Sequence, residues 1–212
     1  MADKVEKEIR NWSVRAEAPK EDSRTVEGYA ALFDTPSDGL DFTEVIDRNA
    51  FDGVIARSDV FALLNHDNSR GILGRSKKGK GSLELSVDDR GLKYRFEAPK
   101  SALGDELIEN LKRGEVNESS FCFDVTDEEW QEDGVDDRGC KKYKRTIHKI
   151  GNLYDISPVY SAAYSATSVS LRGKQLKEKE LEESERKKKE AEENEKRLTA
   201  YYEELEDKFT NI

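Results

Sequence analysis

The sequence predicts an α+β fold, an antiparallel β-barrel flanked by helices, with a C-terminal charged helical arm. Three observations lead there. Short segments with period-two alternation recur through the first 172 residues, joined mostly by turn residues rather than by long crossover helices. One segment, "SALGDELIENLKRG", has helical period and a leucine stripe. From Gly173 the chain reads "GKQLKEKELEESERKKKEAEENEKRLTAYYEELEDKFTNI", with Glu and Lys at spacings of three and four and few apolar residues. The expected division is a globular domain over residues 1–172 and an arm or tail over 173–212.

The elements follow in order. "TVEGYAALFDTP" alternates and ends in turn residues, which predicts a strand. "FTEVIDRNAFDGVI" reads as a loop and a short helix, and "DVFALLNHD" as a short buried strand. "SLELSVDDRGLKYRFEAP" gives two alternating strands around a "DDRG" hairpin turn. In the helix, Ser101 is the expected N-cap, Gly114 the stop, and Leu103, Leu107 and Leu111 the stripe. "SSFCFDV" is a strand with Ser119, Phe121 and Phe123 on one face and Ser120, Cys122 and Asp124 on the other. "DEEWQEDGVDDRGCKK" reads as an acidic, turn-rich loop, "YKRTIHKI" as a strand, and "NLYDISPVYSAAYSATSVSLR" as one or two more. The total is seven or eight strands.

Composition narrows the function. The 212 residues carry a formal charge of −10, which argues against a nucleic-acid surface. No segment has the length of a membrane span and no signal-peptide core follows Met1. The two cysteines, Cys122 and Cys140, are therefore expected as reduced thiols in a cytoplasm. There is no CxxC, HExxH, EF-loop or phosphate-binding glycine pattern, so no metal and no cofactor is expected.

Nucleophilic catalysis needs a hydroxyl or thiol, a base near neutrality and a group that orients the base. Only two histidines are present, His66 and His148. His66 ends the apolar run in "LLNHDNSRGILGR", before Gly71 and Gly74, whose amides could approach a substrate. If Phe121 and Phe123 fill the core, Ser120 points away from it toward a cleft, and Ser119 points inward. Cys122 shares the Ser120 face and is the alternative nucleophile. For the third member, Asp155 in "LYDISPV" and His148 both stand.

Together "EGYAALFDTP", "EVIDRNAFDG", "LLNHDNSRGILGR", "LELSVDDRGLKYRFEAP", "LKRGEVNESSFCFDV" and "LYDISPVYSAAYSATSVSLR" resemble, in content and order, the tailed-phage prohead (head-maturation) serine proteases. The resemblance spans about residues 9–172. It implies a serine endopeptidase related in fold to the herpesvirus assembly protease, assemblin. It also implies a catalytic set of His66, Ser120 and Asp155. The family's usual Phe-Gly-Phe after the serine is Phe121-Cys122-Phe123 here, and its usual Glu is Asp155, one methylene shorter. The herpesvirus relatives use a second histidine, which keeps His148 as the alternative. The implied substrates are the chain itself, the phage major capsid protein and its scaffold or delta segment, cut inside the immature prohead in the host cytoplasm. Self-association is possible on this reading. The competing readings are a capsid scaffold or assembly protein with an inactive protease domain, and a Ser/Cys hydrolase unrelated to capsids.

Overall fold

The computed structural model describes residues 6–12, 23–37, 40–160, 179 and 181–197. The chain divides into two compact units, Met1–Thr167 and Ser168–Ile212. The segment read as further strands beyond Tyr160 lies outside the described residues.

Ten strands and two α-helices make up the described part of the first unit. They are β1 (Glu8–Trp12), β2 (Thr25–Leu32), β3 (Thr43–Ile46), α1 (Val54–Arg57), β4 (Asp59–Ala62), β5 (Gly74–Lys77), β6 (Lys80–Gly81), β7 (Leu83–Val87), β8 (Gly91–Glu97), α2 (Ala102–Arg113), β9 (Glu118–Val135) and β10 (Lys141–Val159). The strands form two sheets, one of seven strands in the order β1-β9-β10-β4-β5-β6 with β3 also on β10, and one of three in the order β2-β8-β7. The mixture of helices and strands follows the expected α+β class. The expectation of uniformly antiparallel strands does not hold, because β10 pairs in parallel with both β3 and β4. Among the described residues the hydrogen-bonded ladders form two separate sheets rather than one closed ring.

The helix α2 forms as its sequence dictates. Ser101 accepts a hydrogen bond from the Gly104 N–H at 3.3 Å. Gly114 ends the helix at φ 76°, in the left-handed region where glycine carries no Cβ penalty. Leu107, Ile108 and Leu111 are buried in a core that also contains Leu92, Phe96, Phe121, Phe123, Ile147 and Ile156.

The acidic segment expected as a loop is instead the outer half of a long β9–β10 hairpin. Its charges explain why. Across the turn the acidic run faces the basic "KKYKR", with Lys141 on Glu132 at 2.9 Å and Arg145 Nε donating to Glu128 at 2.6 Å. Opposite charges across a strand pair offset the poor strand propensity of Asp and Glu. The Trp130 ring packs in a tilted arrangement with that of Phe42, their centroids 4.8 Å apart. The turn itself is capped by Asp136, whose carboxylate accepts from the Arg138 and Cys140 N–H groups at 2.9 and 2.8 Å.

β1 is fastened by a buried ionic network. Glu44, fully buried, accepts from Arg10 at 2.6 Å and from Arg145 at 2.8 Å. Glu8 accepts from Arg145 at 2.6 and 2.8 Å. Burial alone pushes the Glu8 carboxyl up, but Arg145 and Arg10 reverse this and hold it below its ordinary value. Burial opposes the charge on Arg10, and Glu44 more than restores it, so its pKa is raised. The network brings residues from β1, β3, β9 and β10 together beside the strand that carries Ser120.

In the second unit, residues 181–197 are helical and almost wholly exposed. Lys187 pairs with Glu183 at 3.0 Å, the spacing of one helical turn. None of the described helices is long and apolar enough to cross a membrane.

Candidate active site

Strand β10 lies between β9 and β4, and that order assembles the site. Asp155 sits on β10, opposite Cys122 of β9 on one side and Phe61 of β4 on the other. Ser157, two residues further, faces Ser120 across the β9–β10 ladder. β4 ends at Ala62, and Leu63 continues alongside β10 by donating its N–H to the Ile156 carbonyl at 3.0 Å. The chain then reverses at Asn65 and His66, with φ of 55° and 59°. Two successive non-glycine residues in the left-handed region cost conformational energy. Here the Asn65 N–H donates to the Pro158 carbonyl at 3.0 Å and the His66 N–H donates to Ser157 Oγ at 3.2 Å. The reversal brings the His66 ring to Ser120 and Asp155.

The resulting contacts are short and directional. His66 Nε2 lies 2.6 Å from Ser120 Oγ, and His66 Nδ1 lies 2.5 Å from Asp155 Oδ1. A carboxylate only accepts, so Nδ1 carries the proton and donates to Asp155. In the neutral ring Nε2 is then the acceptor, facing the serine hydroxyl. Ser120 has one hydroxyl hydrogen and a second acceptor in reach, the Arg10 carbonyl at 2.9 Å. Donation to His66 is the arrangement from which a proton can transfer. All three side chains are largely withdrawn from solvent, His66 at 18% and Asp155 at 13% exposure and Ser120 at 0%. This corrects one expectation: Ser120 lies opposite the aromatic face as predicted, but it is covered rather than open to a cleft. β1, paired with Ser119 through Phe123, is part of that cover.

The family model of the caudovirus prohead serine protease matches residues 10–187. The chain belongs to this family. It therefore stands among bacteriophage proteases of capsid maturation. Of solved structures, the capsid assembly protease gp21 of bacteriophage T4 matches with a TM-score of 0.42 and 10% identity, over 75% of this chain and 100% of that one. No curated protein sequence matches.

In this prohead-protease chain the other candidates lie in different surroundings. Ser119 points into the core, where its hydroxyl bonds the Tyr94 hydroxyl at 2.8 Å. Cys122 is buried, and burial followed by the Asp155 charge pushes its thiol up to about 12, so the thiolate is scarce at neutral pH. His148 sits further back on β10, 3.3 Å from Asp47 and 3.6 Å from Glu129. It is Asp155 that meets His66, and aspartate is long enough to do so. Asp67, next to His66, caps the turn at Asn68–Arg70 by accepting from the Ser69 N–H at 2.9 Å. The glycines after His66 have structural uses: the Gly71 N–H donates to the Asn68 carbonyl at 3.2 Å, and Gly74 starts β5 opposite Ala62.

Sequence reasoning missed three contributors. Ser157 contacts both His66 and Asp155, and the signal for it was its place two residues after Asp155 in an alternating strand. The Arg10 carbonyl has no sequence signal, since a backbone group depends on pairing alone. Asp124, buried on the Ser120 face, accepts from the Asn152 N–H at 2.9 Å and the Tyr154 hydroxyl at 2.6 Å. It thereby secures the irregular stretch of β10 just before Asp155.

Proposed function

We propose that the chain is a serine endopeptidase of prohead maturation in which Ser120 is the nucleophile, His66 the general base and then acid, and Asp155 the group that orients His66. The observation that carries this is the continuous Ser120–His66–Asp155 hydrogen-bond chain of 2.6 and 2.5 Å. Attack of Ser120 Oγ on the scissile carbonyl passes its proton to His66 Nε2. Asp155 stabilises the imidazolium that forms, and His66 returns the proton to the leaving amine. An acyl-enzyme remains on Ser120, and water resolves it by the same route. Because Ser120 is fully covered, a substrate carbonyl reaches it only when the groups above it shift.

The substrates on this reading are segments of the capsid protein and its scaffold, and the chain itself, cut within the assembling shell. Family membership and the triad geometry support a protease there; the charged helix at 181–197 suits a partner-contacting arm beyond a protease domain of residues 1–172. A barrel closed through the two sheets, and a fold relation to herpesvirus assemblin, belong to the same proposal. The test is cleavage of co-expressed capsid protein. Ser120→Ala should abolish it and Ser119→Ala should retain most of it. Full activity in Ser120→Ala overturns the assignment.

A further inference from the structure

Ser157 lies two residues beyond Asp155 on β10 and directly opposite Ser120 on β9. It is fully buried. A buried hydroxyl offers one donor and two acceptor positions, and here each is used. Its hydrogen goes to Asp155 Oδ1 at 2.9 Å. It accepts from the His66 backbone N–H at 3.2 Å. His66 Nδ1 lies 3.2 Å from the same oxygen. Since Nδ1–H donates to Asp155, this last contact is a second, weaker branch of that donation.

The backbone contact has a specific origin. The Leu63 and Asn65 N–H groups bond the Ile156 and Pro158 carbonyls at 3.0 Å each, extending β4 along β10. At His66 the chain has turned to φ 59°. A hydroxyl at Ser157 reaches this N–H and thus holds the chain in the left-handed turn that aims the ring at Ser120.

We propose that Ser157 is a positioning residue for the hydrolytic reaction, fixing the Asp155 carboxylate and the His66 backbone together so that Nε2 stays in line with Ser120. The proposal rests on the triad reading given above. Ser157 touches no reacting atom in it, so its loss should misalign the base rather than remove it. Small displacements of a catalytic group cost on the order of 10–10² in rate.

The experiment compares the full chain with Ser157→Ala, Ser157→Thr and Asp155→Asn, and with the Ser157→Ala/Asp155→Asn pair, using a peptide cut from its own capsid protein. Ser120→Ala is the control for the triad itself. Ser157→Ala should lower kcat by about 10–10² with KM within about twofold, and Ser157→Thr, which keeps the hydroxyl, should recover most of the rate. The low-field proton resonance of His66 Nδ1–H should shift or broaden in Ser157→Ala and return in Ser157→Thr. In the Asp155→Asn background the Ser157→Ala loss should shrink, because the carboxylate that Ser157 fixes has already lost its charge. Should Ser157→Ala fail to fold, Ser157→Cys, close in shape but a weak hydrogen-bonding group, takes its place under the same criteria. A wild-type kcat in the variant lacking the hydroxyl overturns the proposal while leaving the triad intact. So does a loss that is unchanged in the Asp155→Asn background. Activity in Ser120→Ala instead overturns the triad reading beneath it.

Discussion

Asp155→Asn isolates the charge of the orienting group without changing its shape. The 2.5 Å contact between His66 Nδ1 and Asp155 Oδ1 puts the charge centres of an imidazolium and a carboxylate about 4 Å apart. At an effective dielectric of about 20, that attraction is about 4 kcal/mol. It is realised when His66 becomes charged, as the serine proton arrives. With about 1.4 kcal/mol for each tenfold change in rate, the loss is roughly 10³ in kcat. An asparagine that presents its amide N–H₂ to Nδ1 favours the wrong tautomer and adds to the loss, which gives an expected range of about 10²–10⁴. The assay is initial-rate cleavage of a capsid-protein peptide, with thermal unfolding measured on the same samples to show that the variant is folded. His148→Ala, which removes a side chain lying beside Asp47 and Glu129, should change kcat by less than about threefold. A folded Asp155→Asn protein with more than about a tenth of wild-type activity would refute the electrostatic reasoning. A larger loss in His148→Ala than in Asp155→Asn would move the third role to His148.

Four further outcomes follow from the structure. Glu44→Gln leaves Arg10 and Arg145 buried with less counter-charge, so it should destabilise by roughly 3–5 kcal/mol and lower the Tm by about 6–20 °C, measured calorimetrically; an unchanged Tm contradicts the network's role. The Glu8 carboxyl is held below the ordinary glutamate value, about 4.3. Its contribution is therefore present above that pH and is lost as pH falls through the lower folded-state value, so Glu8→Gln should flatten the acid limb of a stability–pH curve. Iodoacetamide at neutral pH should modify exposed Cys140 and spare Cys122, whose thiol is raised to about 12; Cys122→Gly should keep most cleavage, and loss of activity there would revive the thiol as a participant. Cutting the chain after Arg172 should leave peptide cleavage intact and impair incorporation into shells assembled with capsid protein, and a truncated protein that packages as well as the full chain rules the arm out as a contact.

The sequence made the site more legible than the sheet around it. Alternation through Phe121 and Phe123 placed Ser120 and Ser119 on opposite faces, and the structure keeps that division, with Ser119 on Tyr94 and Ser120 on His66. The short apolar run before His66 and the acid within β10 were also visible, because period and burial are local signals. The covering of Ser120 was not, since part of it is β1, whose Arg10 carbonyl meets the Ser120 hydroxyl from 110 residues away in sequence. The parallel pairing of β10 with β3 and β4 was equally invisible, as pairing direction depends on how distant strands return. The long hairpin is a different case. "DDRG" occurs twice, at residues 88–91 and 136–139, and the first predicts a hairpin turn. In both copies the leading Asp accepts from backbone N–H groups of the turn, Asp88 from Arg90 and Gly91 and Asp136 from Arg138 and Cys140. Around the second, the acidic residues predict a turn-rich loop without the flanking strands. Their partners were the lysines and arginine on the far side of the turn.

The central claim is that Ser120 is activated by His66, and a fluorophosphonate probe tests it most directly. The probe reacts with a serine only when a base takes up its proton. Full-length protein should be labelled once, with the adduct mapped by mass spectrometry to Ser120. Labelling should fall to background in His66→Ala and should persist in Ser119→Ala. A folded wild-type protein that stays unlabelled, or an adduct on any residue other than Ser120, would contradict the account.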